Sequence, residues 1–90
     1  MIELIWDTGF KRAYKKRIAP DPALKERFWD AMELFVAEPF AHVLPTHKLT
    51  GKLSGSWAFS VEHDCRIVFQ FVKGYSKALL IDIGTHEEVY

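Results

Sequence analysis

Ninety residues, 49% of them apolar and rich in Phe, Trp and Tyr, suffice for one aromatic core and not for two, which excludes a multidomain or disordered chain. Formal net charge is zero, so a contact with a polyanion must come from segregated charge rather than from the total. No apolar run approaches the roughly 20 residues of a membrane span, and Cys65, the sole cysteine, excludes an intramolecular disulfide and a cysteine-built metal cage.

Residues 1–90 therefore read as a single domain. The opening MIELIWD lacks the basic-then-apolar pattern of a signal peptide, so the expected compartment is the cytoplasm, with no membrane partner. Charge is unevenly spread. Residues 1–20 carry Lys11, Arg12, Lys15, Lys16 and Arg17 against Glu3 and Asp7, and residues 21–45 reverse the sign. Such segregation is read either as a basic face for a polyanion or as an ordinary solvated helix surface.

In chain order, Ile2 to Trp6 is short, apolar and β-prone and opens a strand. Asp7 or Thr8 can cap a helix on which Phe10, Ala13, Tyr14 and Ile18 repeat at helical spacing, ending at Pro20. Asp21 and Pro22 supply a cap and a first-turn proline for a second helix. Its stripe Leu24, Phe28, Ala31, Met32 and Phe35 is amphipathic and stops before Pro39. Residues 41–56 lose periodicity and are punctuated by Pro45, Gly51 and Gly55, as in a loop with room for a short strand. Trp57 to Glu62, Arg66 to Lys73 and Ala78 to Ile83 are strands, the last two joined through Lys73-Gly74-Tyr75-Ser76. The order β-α-α-β-β-β predicts an α+β fold, with two N-terminal helices packed on a mostly antiparallel sheet.

The chemistry-bearing residues lie in the second half: His47 with Lys48 and Lys52, His63 and Asp64 between two strands, Arg66 at the start of the middle strand, and His86 beyond the last. Two imidazoles and a guanidinium meet the needs of metal-free RNA cleavage. One imidazole takes the proton of a ribose 2′-OH, a second protonates the departing 5′ oxygen, and arginine neutralises the phosphate in the transition state. Histidine suits both proton transfers because its ordinary pKa leaves both forms populated near neutrality. Taken singly, each residue also reads as a surface histidine or a simple ion pair of Arg66 with Glu62 or Asp64. A metal site from His47, His63, Asp64 and His86 matches no spacing with a known mechanism, so no metal and no cofactor is expected.

HKLTGKLSGSW (His47 to Trp57), DCRIVFQF (Asp64 to Phe71) and IDIGTHEEVY (Ile81 to Tyr90) resemble the RelE/ParE superfamily of toxins from type II toxin–antitoxin modules. The Gly-Thr-His ending is similar to that of YafQ-type toxins, and the run Leu49 to Trp57 to that of YoeB-like ones. The resemblance implies a RelE-like fold, an antitoxin partner, and an mRNA interferase acting on messages in the ribosomal A site. It further implies His47 as general base, Arg66 as the phosphate-holding arginine and His86 as general acid. Tyr90 would orient or stack on RNA, Lys48 and Lys52 would contact phosphate, and His63 and Asp64 would fall near a His/Asp pair of the YafQ type. Lys11, Arg12, Lys15, Lys16 and Arg17 would meet ribosomal RNA. Other members, the ParE branch, poison DNA gyrase without acid-base residues, and an inactive antitoxin-binding relic is the third alternative.

Overall fold

The computed structural model describes residues 1–62 and 64–85. Its elements are β1 (Glu3–Trp6), α1 (Thr8–Ala13) running on into a π-helical turn (Tyr14–Ile18), α2 (Pro22–Ala37), β2 (His47–Lys48), a 3₁₀ turn (Gly51–Leu53), β3 (Trp57–Glu62), β4 (Cys65–Val72) and β5 (Lys77–Gly84). The expected β-α-α-β-β-β order holds, with β2 added as a two-residue strand inside the segment read as a loop. Both helix starts follow their capping residues. The Asp7 carboxylate accepts the Gly9 N–H at 3.0 Å, and that of Asp21 accepts the Leu24 N–H at 3.1 Å with Pro22 in the first turn. Each bond satisfies a helix-terminal donor that has no partner within the helix.

The five strands form one sheet in the order β1-β5-β4-β3-β2. Only the β1–β5 pair is parallel; the others are antiparallel. One face carries Phe59, Ile67, Phe69, Ala78, Leu80 and Ile83, which pack with Phe10, Ile18, Phe28, Met32 and Phe35 of the helical layer. Phe35 stacks on Phe59 at a ring separation of 4.5 Å and meets Phe69 edge-on at 4.8 Å. A second aromatic group ties β1 to the helices, with Trp6 edge-on to Phe10 at 4.9 Å and the Trp29 indole N–H donating to the Tyr14 hydroxyl at 3.0 Å.

The opposite face is also covered. Leu49 and Leu53, from the segment between β2 and β3, pack on Ala58, Val68 and Ile81. Gly51 and Gly55 have φ of 67° and 95°, conformations that let this short segment fold back over the sheet and that a side chain would strain. This small second core is what builds a recess above β4 and β5.

Two features of β5 matter for that recess. Its pairing with β1 ends at Trp6 opposite Leu80, so the last residues of β5 lie beyond the end of β1, on the side where α1 packs. Its register with β4 also slips between Val68/Asp82 and Phe69/Leu80, leaving Ile81 as an extra residue. A bulge of this kind bends the strand and re-aims side chains, and bulges recur beside binding sites.

Candidate functional site

Cross-strand partners share a face, so the register assigns His47, Lys48 and Arg66 each to one side of the sheet. His47 lies opposite Ala58, Ala58 opposite Val68, and Val68 opposite Asp82. That row is on the face away from the helices, where Ala58 and Val68 are buried under Leu49. Arg66 is two residues before Val68 on the same strand and hence on the same face, between Ser60 and Gly84. From two strand spacings across and two residues along, the Cα atoms of His47 and Arg66 lie about 12 Å apart. The two long side chains and a phosphodiester between them can span such a gap.

His47 is on a strand rather than in a loop, exposed, with its Nδ1 2.8 Å from the carbonyl oxygen of Pro45. A carbonyl only accepts, so in the neutral ring Nδ1 carries the hydrogen and the lone pair resides on Nε2. This is the tautomer a general base needs. Arg66 is half-buried in the middle of the sheet, which holds its backbone rigidly between two paired strands.

Lys48 is not with them. Its row runs through Trp57 and Phe69 on the helical face, and its ammonium lies 5.4 Å from the centre of the Trp57 ring, a cation–π contact. Lys52 is exposed in the 3₁₀ turn, on the segment that covers the Arg66 face. Asp64 is exposed in the turn before β4. Glu62, weighed as a partner for Arg66, has its carboxylate 2.8 Å from Arg27. His63, His86 and Tyr90 lie outside the described residues. Among the described residues no group of three or more His, Cys, Asp or Glu is placed to hold a metal ion.

Beside Arg66 is a cavity of about 210 Å³ lined by Arg17, Leu53, Ser56, Val68, Ile81, Asp82, Ile83 and Gly84. Ser56, almost fully buried, accepts a hydrogen bond from the Gln70 amide at 3.2 Å. Arg17 stands apart from the other basic residues expected to meet ribosomal RNA. Lys11, Arg12, Lys15 and Lys16 are exposed, but Arg17 is half-buried and turned into the cavity. The signal was present in the spacing: Arg17 falls seven residues after Phe10, on the same helical stripe, whereas the other four cations fall across from it.

Cys65 is buried behind this site. Its thiol is pushed up to about 11 by burial and by the Glu62 and Asp64 carboxylates, with Arg17 and Arg66 both pulling the other way. Two guanidinium groups thus act on the same sulfur.

No family model matches the chain, and no curated protein sequence does. Solved structures do. The chain is similar to a YoeB/ParE toxin from Agrobacterium tumefaciens (TM-score 0.77, 20% identity, covering 94% of this chain and 99% of that one). It is similar to YafQ from E. coli strain BL21(DE3) (0.74, 16%, covering 100% and 99%). It is also similar to the YoeB–YefM complex from Staphylococcus aureus (0.74, 11%, covering 96% and 98%). At these identities the likeness establishes the fold, which is the RelE-like one implied by the sequence motifs.

Proposed function

We propose that this chain, having the fold of the YoeB and YafQ toxins, is the toxin of a type II toxin–antitoxin module and cleaves messenger RNA in the ribosomal A site. The observation that carries the reading is the common face of His47 and Arg66, with the lone pair of His47 on Nε2. The complex of YoeB with YefM, one of the structures this fold resembles, supports a cognate antitoxin as partner. The cytoplasm, where messages and ribosomes are, is the compartment the reading requires.

In this mechanism Nε2 of His47 takes the 2′-OH proton and the 2′ oxygen attacks the adjacent phosphorus. The bond from phosphorus to the 5′ oxygen breaks, and His86 donates a proton to that leaving oxygen. The products are a 2′,3′-cyclic phosphate and a 5′-hydroxyl. Arg66 neutralises the charge that builds on the non-bridging oxygens, which is where a fixed guanidinium contributes most. Lys11, Arg12, Lys15 and Lys16, exposed along α1 and its extension, hold the toxin to ribosomal RNA by salt-sensitive phosphate contacts. Lys52, His63, Asp64 and Tyr90 engage the message, Tyr90 by stacking. The placement of Lys48 over Trp57 gives it a contact on the far face instead.

The test is to map message 5′ ends after brief induction in growing cells. Cuts within translated codons, absent with Arg66→Ala, support the nuclease. DNA breaks with intact messages would instead identify a gyrase poison, and growth without either would identify an inactive antitoxin-binding relic.

A further inference from the structure

We infer that Arg17 is a second phosphate-binding residue of the same site, delivered by the N-terminal helix to the recess beside Arg66. The inference rests on the nuclease reading above and goes beyond it in assigning a residue from a different layer of the fold. Among the described residues, Arg17 is the only cation lining the cavity and Asp82 the only anion. Arg66 borders it as the register partner of the lining residue Gly84, on the same face as the lining residue Val68. With Arg66 counted, the described residues bring two guanidinium groups and one carboxylate to the recess. The Asp82 carboxylate also accepts the N–H of Ile83 at 2.8 Å, which holds it against its own strand.

Size narrows the ligand. At about 210 Å³ the cavity falls below the roughly 300–1,000 Å³ typical of sites for drug-sized molecules. It accommodates a phosphate group and excludes a whole nucleotide. Leu53, Val68, Ile81 and Ile83 make its walls apolar, and a guanidinium in such surroundings attracts an anion more strongly than one in water. The geometry that brings Arg17 here is specific: β1 stops at Trp6, opposite Leu80 of β5, the Ile81 bulge follows on β5, and the π-helical turn Tyr14–Ile18 ends where the helical layer meets the open part of β5. Arg17 and Arg66 then grip the scissile phosphate from two sides, one from the helical layer and one from the sheet.

The experiment is single-turnover cleavage of a message on purified ribosomes, with toxin concentration varied. Arg17→Ala should lower the rate at saturating toxin about 100-fold, the usual order for one lost transition-state contact, and Arg17→Lys should recover about tenfold of that. Lys15→Ala and Lys16→Ala should instead raise the concentration needed for half-saturation. Lys25→Ala, on α2, serves as the charge-matched control. A wild-type saturated rate for Arg17→Ala, or a loss confined to half-saturation, overturns the inference. Thermal melts of Arg17→Ala and Arg17→Gln guard against misfolding; if Ala does not fold, Gln carries the same expectation. If the wild type does not cut, the nuclease reading fails and a titration with adenosine 3′,5′-bisphosphate decides the phosphate site alone. Amide shifts at Val68 and Gly84 that vanish in Arg17→Gln support it, and shifts unaltered by the substitution overturn it.

Discussion

Arg66 and Gly84 are register partners on the antiparallel strands β4 and β5. The middle-strand arginine therefore sits beside the end of the last strand, two residues before His86 in the sequence. The Gly-Thr-His run is thus tied to the arginine through paired backbone as far as Gly84.

Removing the guanidinium tests that arrangement most directly. Arg66→Ala is expected to relieve growth arrest on induction and to cut single-turnover cleavage by about 10²–10³-fold. Arg66→Lys keeps the charge and loses the planar fork, so its rate should fall between the two. Antitoxin binding, followed by co-purification, should persist in both.

His47 makes a separable prediction. His47→Ala should slow cleavage by about 10²–10⁴-fold, the range of a lost general base, while a chelator added to the wild type should leave the rate unchanged. The Pro45 carbonyl would lose its imidazole partner, but the residue is exposed, so the melting temperature should shift little. If His47→Ala and Arg66→Ala together remain fully toxic in cells, the nuclease assignment is wrong.

Cys65 predicts a pH dependence. Its thiol has a folded pKa of about 11 against an ordinary 9.0, so the folded state keeps the proton longer than the unfolded state. The stabilisation is whole below pH 9 and is lost as pH rises to 11; a shift of this size corresponds to roughly 2–3 kcal/mol. Urea titrations between pH 8 and 11 should show this slope in the wild type and lack it in Cys65→Ala. The native thiol should also resist iodoacetamide at pH 8 until the chain is unfolded.

The stack of Phe35 on Phe59 joins the helical layer to the sheet, and both rings are fully buried. Phe35→Ala should cost about 3–5 kcal/mol, read by denaturant unfolding. Gly55→Ala should cost only about 1 kcal/mol, because its Cβ meets open space and the penalty lies in a φ of 95° alone. By loosening the cover over the second face, it should also lower cleavage more than its stability loss explains.

Capping and periodicity left plain marks in the chain. Asp21 and Pro22 announced the start of α2, the Phe28 to Phe35 stripe its buried side, and the bounds of β3, β4 and β5 were legible to within a residue. The candidate cleavage residues were legible too, because their chemistry is carried by residue type and by motifs that the fold comparison bears out only at the level of architecture. These features depend on neighbours within a turn or a strand, and a sequence states such neighbours directly.

The tertiary structure decided the rest. Nothing local says that β1 runs parallel beside β5, that the segment Leu49 to Leu53 covers the second face, or that His47 falls opposite Ala58 and so on the side of Arg66. Lys48, one residue on, was sent to the other face by the two-residue period of a strand once that register was set. Arg17 parted from its four cationic neighbours because the helix packs beside the open end of β5, where an amphipathic stripe includes one arginine. Strand order, register and the meeting of layers are settled by burial summed over distant residues, and those terms exist only when the whole chain is folded.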